Sequence, residues 1–441
     1  MQIRIEETMW AALNTHLLER SDVETAAILL AEPISGDMNT VLAVRGWASV
    51  PDDGYLIRRI DQIRIDPIAI NRLVRTARES GMSVLTVHSH PMSLDAWFSH
   101  ADDLGDARLL PSFARLMPGV PHGSLVLARS GAVVARTLVD GALINAEVRT
   151  VGRTLTMRTA IADTNEHSDD RFARQVLALG ADGQRALRAL RVGVVGVGGV
   201  GSVACAQLAH LGVGEIIAVD RDRVEASNVS RILGVQAGDV GKLHKTAVAR
   251  RYIDQMGLPV VVRTVERYVE RRDDARSLAG CDIILSCVDR HTPRALLNRL
   301  AYDALVPVID MGSGFRVDLS GRVVGAAGRV VIVGPGRPCL ACWGHIDPDA
   351  LRVEALSAED RASLAGEGYV SGAEVHQPSV MPFNTMIAGA ALIELLRLCT
   401  AFAGADDPPQ RLAFQFAEGT VRRNGLADFS ACQTCGRRCA A

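Results

Sequence analysis

The stretch Val194-Val195-Gly196-Val197-Gly198-Gly199-Val200-Gly201-Ser202 constrains the fold of this chain more than any other. An apolar run leads into it and a helix-length segment follows. Glycines at that spacing let the backbone turn sharply and approach phosphate at the N-terminus of the helix. Taken alone, such a turn could equally serve helix packing. The surrounding pattern is regular, with β-rich runs at 191–196, 216–220, 259–263, 282–288 and 306–310 separated by helix-length stretches. That alternation predicts right-handed crossovers and a largely parallel, doubly wound sheet. The run Asp282-Ile283-Ile284-Leu285-Ser286-Cys287-Val288 reads as a strand covered on both faces.

At 441 residues the chain exceeds one core of ordinary size, so two domains are expected. Short apolar runs at 26–30, 84–87 and 124–128, alternating with helical patterns such as 67–79, predict a small α/β domain with a mixed sheet over residues 1–150. The polar, acidic segment 159–170 suits an exposed connection, and a linker is placed at 151–169. The second domain then spans 170–441.

Charge and cysteine content narrow the function. The 48 basic residues nearly cancel the 50 acidic ones, leaving no excess field for nucleic acid. The apolar stretch 379–403 is interrupted by Glu394 and Arg397 and reads as a buried helix, not a membrane span. Met1 to Glu7 carries carboxylates where a secretory signal has a basic segment, and nine cysteines are an odd number, so reduced thiols and a cytoplasmic location are expected.

The run that follows the second β-rich segment decides between nucleotides. Asp220 stands about 20 residues beyond the glycine turn, where a carboxylate can accept from a ribose hydroxyl, and this fits NAD as well as ATP. However, Val219-Asp220-Arg221-Asp222-Arg223-Val224-Glu225-Ala226-Ser227-Asn228-Val229-Ser230-Arg231 resembles the D-x-D-x-V-x-x-S-N-L-x-R signature of the ThiF/MoeB-type, ubiquitin-activating adenylyltransferase family. Arg171-Phe172-Ala173-Arg174-Gln175, Gly180 to Gln184, Asp239-Val240-Gly241, Cys287-Val288-Asp289 and Val380 to Leu396 extend the likeness across the second half.

The resemblance implies ATP and Mg²⁺ as cofactors and a Rossmann-like adenylation fold. It implies that Gly196, Gly198, Gly199, Gly201, Asp220 and Asp222 cradle the nucleotide. Arg231 and Lys245 would bind the triphosphate, Asn228 would orient it and Asp289 would hold Mg²⁺. Arg174 would reach into a neighbouring subunit's site, hence a homodimer. Lys245 sits one position later after Gly241 than in the family, and Lys242 is an alternative. The chemistry agrees, because negative charge built at the α-phosphate needs cations to neutralise it.

Cys339-Leu340-Ala341-Cys342 and Cys432-Gln433-Thr434-Cys435 form paired C-x-x-C knuckles, the pattern of a closed, structural four-cysteine zinc site that the same family carries. Cys439 is read as a bystander, or as a substitute for Cys435 in a looser site. Relatives that form a thioester have a cysteine in the loop before the final helix, whereas 343–378 contains none. Cys205, Cys281, Cys287 and Cys399 are read as packing residues, so the reaction is expected to stop at the acyl-adenylate or to pass it to another protein's thiol.

In the first half, Thr86-Val87-His88-Ser89-His90-Pro91 followed by Ser99-His100-Ala101-Asp102 resembles the JAMM motif of the JAB/MPN metallopeptidases, with Glu24 as the upstream acid. That likeness implies His88, His90 and Asp102 as ligands of a catalytic Zn²⁺, Glu24 as general base and Ser99 as support for the oxyanion. Eight residues separate His90 from Ser99, one more than the family has. His100, His122 and Asp103 are read as surface residues.

Together the resemblances imply adenylation of the C-terminal glycine of a ubiquitin-like or sulfur-carrier protein with a Gly-Gly tail, coupled to isopeptidase or peptidase processing of the same tail. A conjugating enzyme or a sulfur donor would act downstream. The alternatives are sulfur-carrier activation for cofactor or cysteine synthesis, and a non-enzymatic nucleotide-binding scaffold. A dehydrogenase would leave Asn228, Arg231 and Asp289 without a task.

Overall fold

The computed structural model describes residues 1–37, 39–159, 169–318, 320–357, 359–360, 378–400, 402, 410–426 and 429–436. Two compact units divide the chain, one built around Met1–Glu166 and the other around His167–Tyr302 and Val306–Ala440.

The first unit holds strands β1 (Gln2–Glu6), β2 (Ala26–Ser35), β3 (Thr40–Ser49), β4 (Tyr55–Arg58), β5 (Ile63–Ile65), β6 (Ser83–His90), β7 (His122–Ala128), β8 (Val133–Val139), β9 (Ala142–Asn145), β10 (Glu147–Val151) and β11 (Leu155–Met157). Nine of them form one sheet in the order β11-β10-β1-β3-β2-β6-β7-β8-β9, while β4 and β5 pair separately. The sheet is mixed: β1 runs parallel to β3 and β10, and β6 to β7, whereas β2 is antiparallel to β3 and β6. β11 pairs with β10, so this sheet runs past the boundary drawn at residue 150 and uses residues assigned to the linker. Linker residues 160–168 lie outside the described ones.

Strand alternation sorts the core into two layers. Leu85 and Val87 of β6 pack with Ile3, Leu29 and Leu125 beneath helix α1 (Glu7–Leu18), through Trp10, Leu13 and Leu17. Val84 and Ile28 face the other way, onto Ile70 and Ala77 of α2 (Pro67–Ser80) and Leu110 and Phe113 of α3 (His100–Leu116). Asp66 caps α2 through Ile68 N–H, Pro67 occupies its first turn, and Gly81 ends it at φ 67°. The alternation puts His88 and His90 on the α2/α3 side.

His122 departs from the surface reading. It is 1% exposed, and its Nδ1 accepts from Val84 N–H at 3.1 Å. Position 122 opens a fully buried strand, and one histidine gives no sequence sign of that.

In the second unit, α4 (Ala173–Arg188) leads into β12 (Arg191–Val195), α5 (Gly199–His210), β13 (Glu215–Val219), α6 (Lys245–Asp254), β14 (Val261–Val265), α7 (Arg272–Arg276), β15 (Ile283–Ser286), α8 (His291–Asp303) and β16 (Val308–Val317). β17 (Val323–Val333), α9 (Pro348–Glu354), α10 (Met381–Cys399), β18 (Arg411–Gln415) and β19 (Thr420–Asn424) follow. The strand order is β14-β13-β12-β15-β16-β17-β18-β19, parallel through β16 and antiparallel beyond. Chain order therefore reverses between β12 and β15, and the crevice at that switch is where open α/β sheets bind ligands. α10 is long and apolar enough to cross a membrane, but it packs on α5 and β16 and buries Ile387, Leu392, Glu394 and Leu395.

Burial pulls the His122 imidazole down from its ordinary 6.5 to about 4. The folded unit keeps this ring neutral while the unfolded chain protonates below pH 6.5. Its stability contribution is thus complete above that pH and lost on descent towards pH 4, to the extent of roughly 3 kcal/mol. Thermal melts of wild type and His122→Asn between pH 4 and 7 should show a shallower acid decline in the variant; parallel curves would refute this assignment.

Candidate functional site

In the second unit the glycine turn is built by close packing. Gly196 has φ +89°, and a Cβ there would lie 2.7 Å from the Cys287 carbonyl oxygen. A Cβ on Gly201 would collide with the Gly196 carbonyl, and one on Gly199 with Asn384 Nδ2. At Gly198, by contrast, a Cβ would meet nothing within 4 Å. Three glycines thus serve the turn itself, and the fourth leaves open space where a ligand can approach.

Asp220 ties the turn down. Its Oδ2 accepts from Val197 N–H and its Oδ1 from Asp222 N–H, each at 2.8 Å. Burial raises its pKa, while Lys245 pulls the other way. Lys245 Nζ donates to Asp222 Oδ2 at 2.6 Å, and the Tyr268 hydroxyl donates to Asp222 Oδ1. Lys242 is exposed. Of the two candidate lysines, Lys245 is therefore the one that meets the carboxylates.

Asn228 is 1% exposed and closes a capping box, its Oδ1 accepting from Glu225 N–H at 3.0 Å. The segment after it docks on α5, where Ser202 Oγ accepts from Leu233 N–H at 3.1 Å. Arg231 keeps a buried Nε without a hydrogen-bond partner, a donor suited to an anion. Asp289 is exposed two residues beyond the carbonyl that abuts Gly196. A buried network fixes that corner: Arg294 donates to Val288 O at 2.8 Å and to Asp310 Oδ1 at 3.1 Å, and Ser286 Oγ donates to the same oxygen at 2.9 Å. Arg174 is exposed on the first turn of α4 and has no described contact with this group.

Asn384 and Tyr268 were not singled out from sequence. Asn384 accepts from Ser313 Oγ at 3.0 Å and donates to Ser379 Oγ at 3.1 Å, which brings the head of α10 against Gly199. Its distance along the chain from the glycine turn left no local signal. Tyr268 lies three residues beyond β14, where the aromatic residue alone could have hinted at it.

The four knuckle thiols converge, with Sγ separations of 3.7 Å for Cys339–Cys342, 3.6 Å for Cys339–Cys432 and 3.5 Å for Cys342–Cys435. Four sulfurs about 2.3 Å from one ion would stand roughly 3.8 Å apart, so the donor set fits zinc, whereas a disulfide needs about 2 Å. Burial opposes ionisation of Cys432, but N–H groups of Cys435 and Thr434, together with the thiols of Cys342 and Cys435, outweigh it and hold the thiol below its ordinary range. Cys439 lies outside the described residues, as do 361–377 of the preceding loop. Burial raises Cys205 and Cys399 to about 12 and Cys287 upward, which suits packing rather than nucleophilic roles.

The first unit has a second cluster. His88 Nε2 lies 3.3 Å from His90 Nε2 and 3.1 Å from Asp102 Oδ1, and His90 Nε2 lies 3.7 Å from both Asp102 Oδ2 and Glu24 Oε1. Two imidazoles and a carboxylate this close could together hold a metal ion. Burial raises Glu24 to about 8, and the charges of Asp102 and Asp61 add to it. Burial also opposes ionisation of Asp102, yet hydrogen bonds with His88, His90 and Ser99 hold its carboxyl well below the ordinary range. Ser99 caps α3: its hydroxyl donates to Asp102 Oδ2 at 2.7 Å and accepts from Asp102 N–H at 3.2 Å. In this arrangement the Ser99 hydroxyl orients the Asp102 carboxylate. His100 and Asp103 are both exposed, as read from sequence, and Asp103 pairs with Arg136 at 2.6 Å.

Comparison with known proteins agrees with the second unit's architecture. The family model described as "ThiF family" matches residues 172–434. The SAMP-activating enzyme E1 of Haloferax volcanii is 31% identical over 175 residues, which are 39% of this chain and 61% of that protein. The molybdopterin-synthase adenylyltransferase of Escherichia coli is 30% identical over 188 residues, 42% of this chain and 72% of that protein. Among solved structures, E. coli MccB with MccA-N7isoASN superposes at a TM-score of 0.50 with 19% identity, covering 61% of this chain and 76% of that one, a likeness of fold.

Gly201→Ala should destabilise the second unit by about 2 kcal/mol through overpacking, whereas Gly198→Ala should melt like wild type and weaken nucleotide binding. Calorimetric melts and ATP titrations of both variants check this, and equal melting temperatures would contradict the packing account.

Proposed function

This chain belongs to the ThiF family, and we propose that its second unit uses ATP to adenylate the C-terminal carboxylate of a ubiquitin-like or sulfur-carrier protein with a Gly-Gly tail. The observation that carries this reading is the junction of the glycine turn with Asp220, Asp222 and Lys245. Relatives whose names include a SAMP-activating enzyme and a molybdopterin-synthase adenylyltransferase support the substrate class.

In the proposed reaction a carboxylate oxygen attacks the α-phosphorus, the bond to the bridging oxygen breaks, and pyrophosphate leaves. Arg231, with its unpartnered Nε, and Lys245 neutralise the charge that develops. Asp289 would hold Mg²⁺, which screens the phosphates when bound. Lys245 must exchange Asp222 for phosphate, a trade between two anions at one cation. Arg174 would complete the site of a second copy in a homodimer. With no cysteine in 343–378, the product is the acyl-adenylate itself, passed on to a sulfur donor or a conjugating enzyme. Reduced thiols suit the cytoplasm.

For the first unit we propose a JAB/MPN-type peptidase acting on the same tail. Zinc held by His88, His90 and Asp102 would acidify water when bound. Glu24, buried and poised near pH 8, takes the proton from that water and returns it to the leaving amine. Joining the two activities in one chain raises the effective concentration of the trimmed tail at the adenylating site.

Pyrophosphate exchange with candidate Gly-Gly proteins tests the adenylation. Arg231→Ala and Asp289→Ala should each lower the rate about 100-fold, and a wild-type chain with no carboxylate-dependent exchange would favour a non-enzymatic scaffold. Glu24→Gln should leave a mature carrier fully adenylated while a tail-extended one goes unused. Equal use of both by this variant would sink the coupling.

A further inference from the structure

One guanidinium grips both flanks of the α3 capping box. Arg136, on β8, is 8% exposed, and its Cζ lies 3.7 Å from the centre of the Phe98 ring. Its Nη1 donates to Asp103 Oδ1 at 2.6 Å, and Nε donates to Asp106 Oδ2 at 2.8 Å. Ser124 Oγ also donates to Asp106, so this buried carboxylate is itself fixed to β7. Phe98 immediately precedes Ser99, and Asp103 immediately follows Asp102. The loop leading to Phe98 leaves Met92, Leu94 and Trp97 68%, 70% and 50% exposed. Arg129 N–H and Ser130 Oγ tie its Ser93 and Leu94 carbonyls, and Trp97 stands edge-on to His90, while Phe98 at its end is held by Arg136.

We propose that Arg136 is the positioning residue of the His88–His90–Asp102 centre. By stacking on Phe98 and pairing with Asp103 and Asp106, it fixes the end of a loop one residue longer than the resembled motif has, and sets the first turn of α3. Asp102 is thereby held facing the two imidazoles. The inference rests on the metal-centre reading given above. A planar fork is needed to stack on a ring and bind two carboxylates at once, and lysine offers only a point charge. A residue that merely stapled α3 to the sheet would matter for melting alone.

Zinc affinity, read by chelator competition on the full chain, separates these roles. Arg136→Ala should weaken the first unit's zinc about 10- to 100-fold and leave the cysteine-bound zinc unmoved, with Arg136→Lys recovering only part of the loss. Unchanged affinity in a folded Arg136→Ala chain would overturn the inference. If that variant does not fold, Phe98→Leu decides: weaker zinc in the first unit supports the role, and wild-type affinity rejects it. A wild-type chain that holds only the cysteine-bound zinc sinks the metal-centre reading and this inference together, whereas two zincs whose affinities no variant moves sink this inference alone.

Discussion

The hydrogen bond from Val197 N–H to Asp220 is the constraint around which the second unit is organised. It joins the turn after β12 to the end of β13 and leaves the backbone between them no side chain to accommodate. Gly201 rests on the Gly196 carbonyl, and Gly196 on Cys287, so three strand ends meet without intervening atoms. A burial-raised carboxylate at such a junction loses solvation and gains two backbone donors and a nearby ammonium. The candidate side chains then collect at the carboxyl ends of the strands flanking the point where chain order reverses.

The first unit solves a different problem with similar means. Strand periodicity delivers two imidazoles to one face, and a helix cap delivers the carboxylate that meets them. The cap is economical: Ser99 ends a loop, starts a helix and orients Asp102 through one hydroxyl. Because Glu24 lies just before β2, whose Ala26 pairs with His88, the sheet register places the acid beside the two histidines.

Much of this was legible from local pattern. Runs at 191–196, 216–220, 282–288 and 306–310 overlap strands β12, β13, β15 and β16, and 259–263 is offset by two residues from β14. Fully buried parallel strands write themselves as continuous apolar runs, which explains that success. In the antiparallel extension β17–β19, the last strand is exposed along its length and carries no apolar alternation to announce it. Contacts made at long range were invisible for the same kind of reason. Nothing near Asn384 announces Gly199, and nothing near His122 announces burial, since both depend on what folds over them. The linker drawn from 151 failed where β11, only three residues long, continues the sheet.

The paired knuckles have a mechanical consequence. Cys342 and Cys432 bracket residues 343–431, which include α10 with Asn384 at its head. An ion shared by both knuckles would act as a buckle, shortening the free arc of chain and lowering the entropy that α10 must surrender to dock. Since Asn384 at the head of α10 meets Gly199, an ion there would also help hold that helix against the glycine turn.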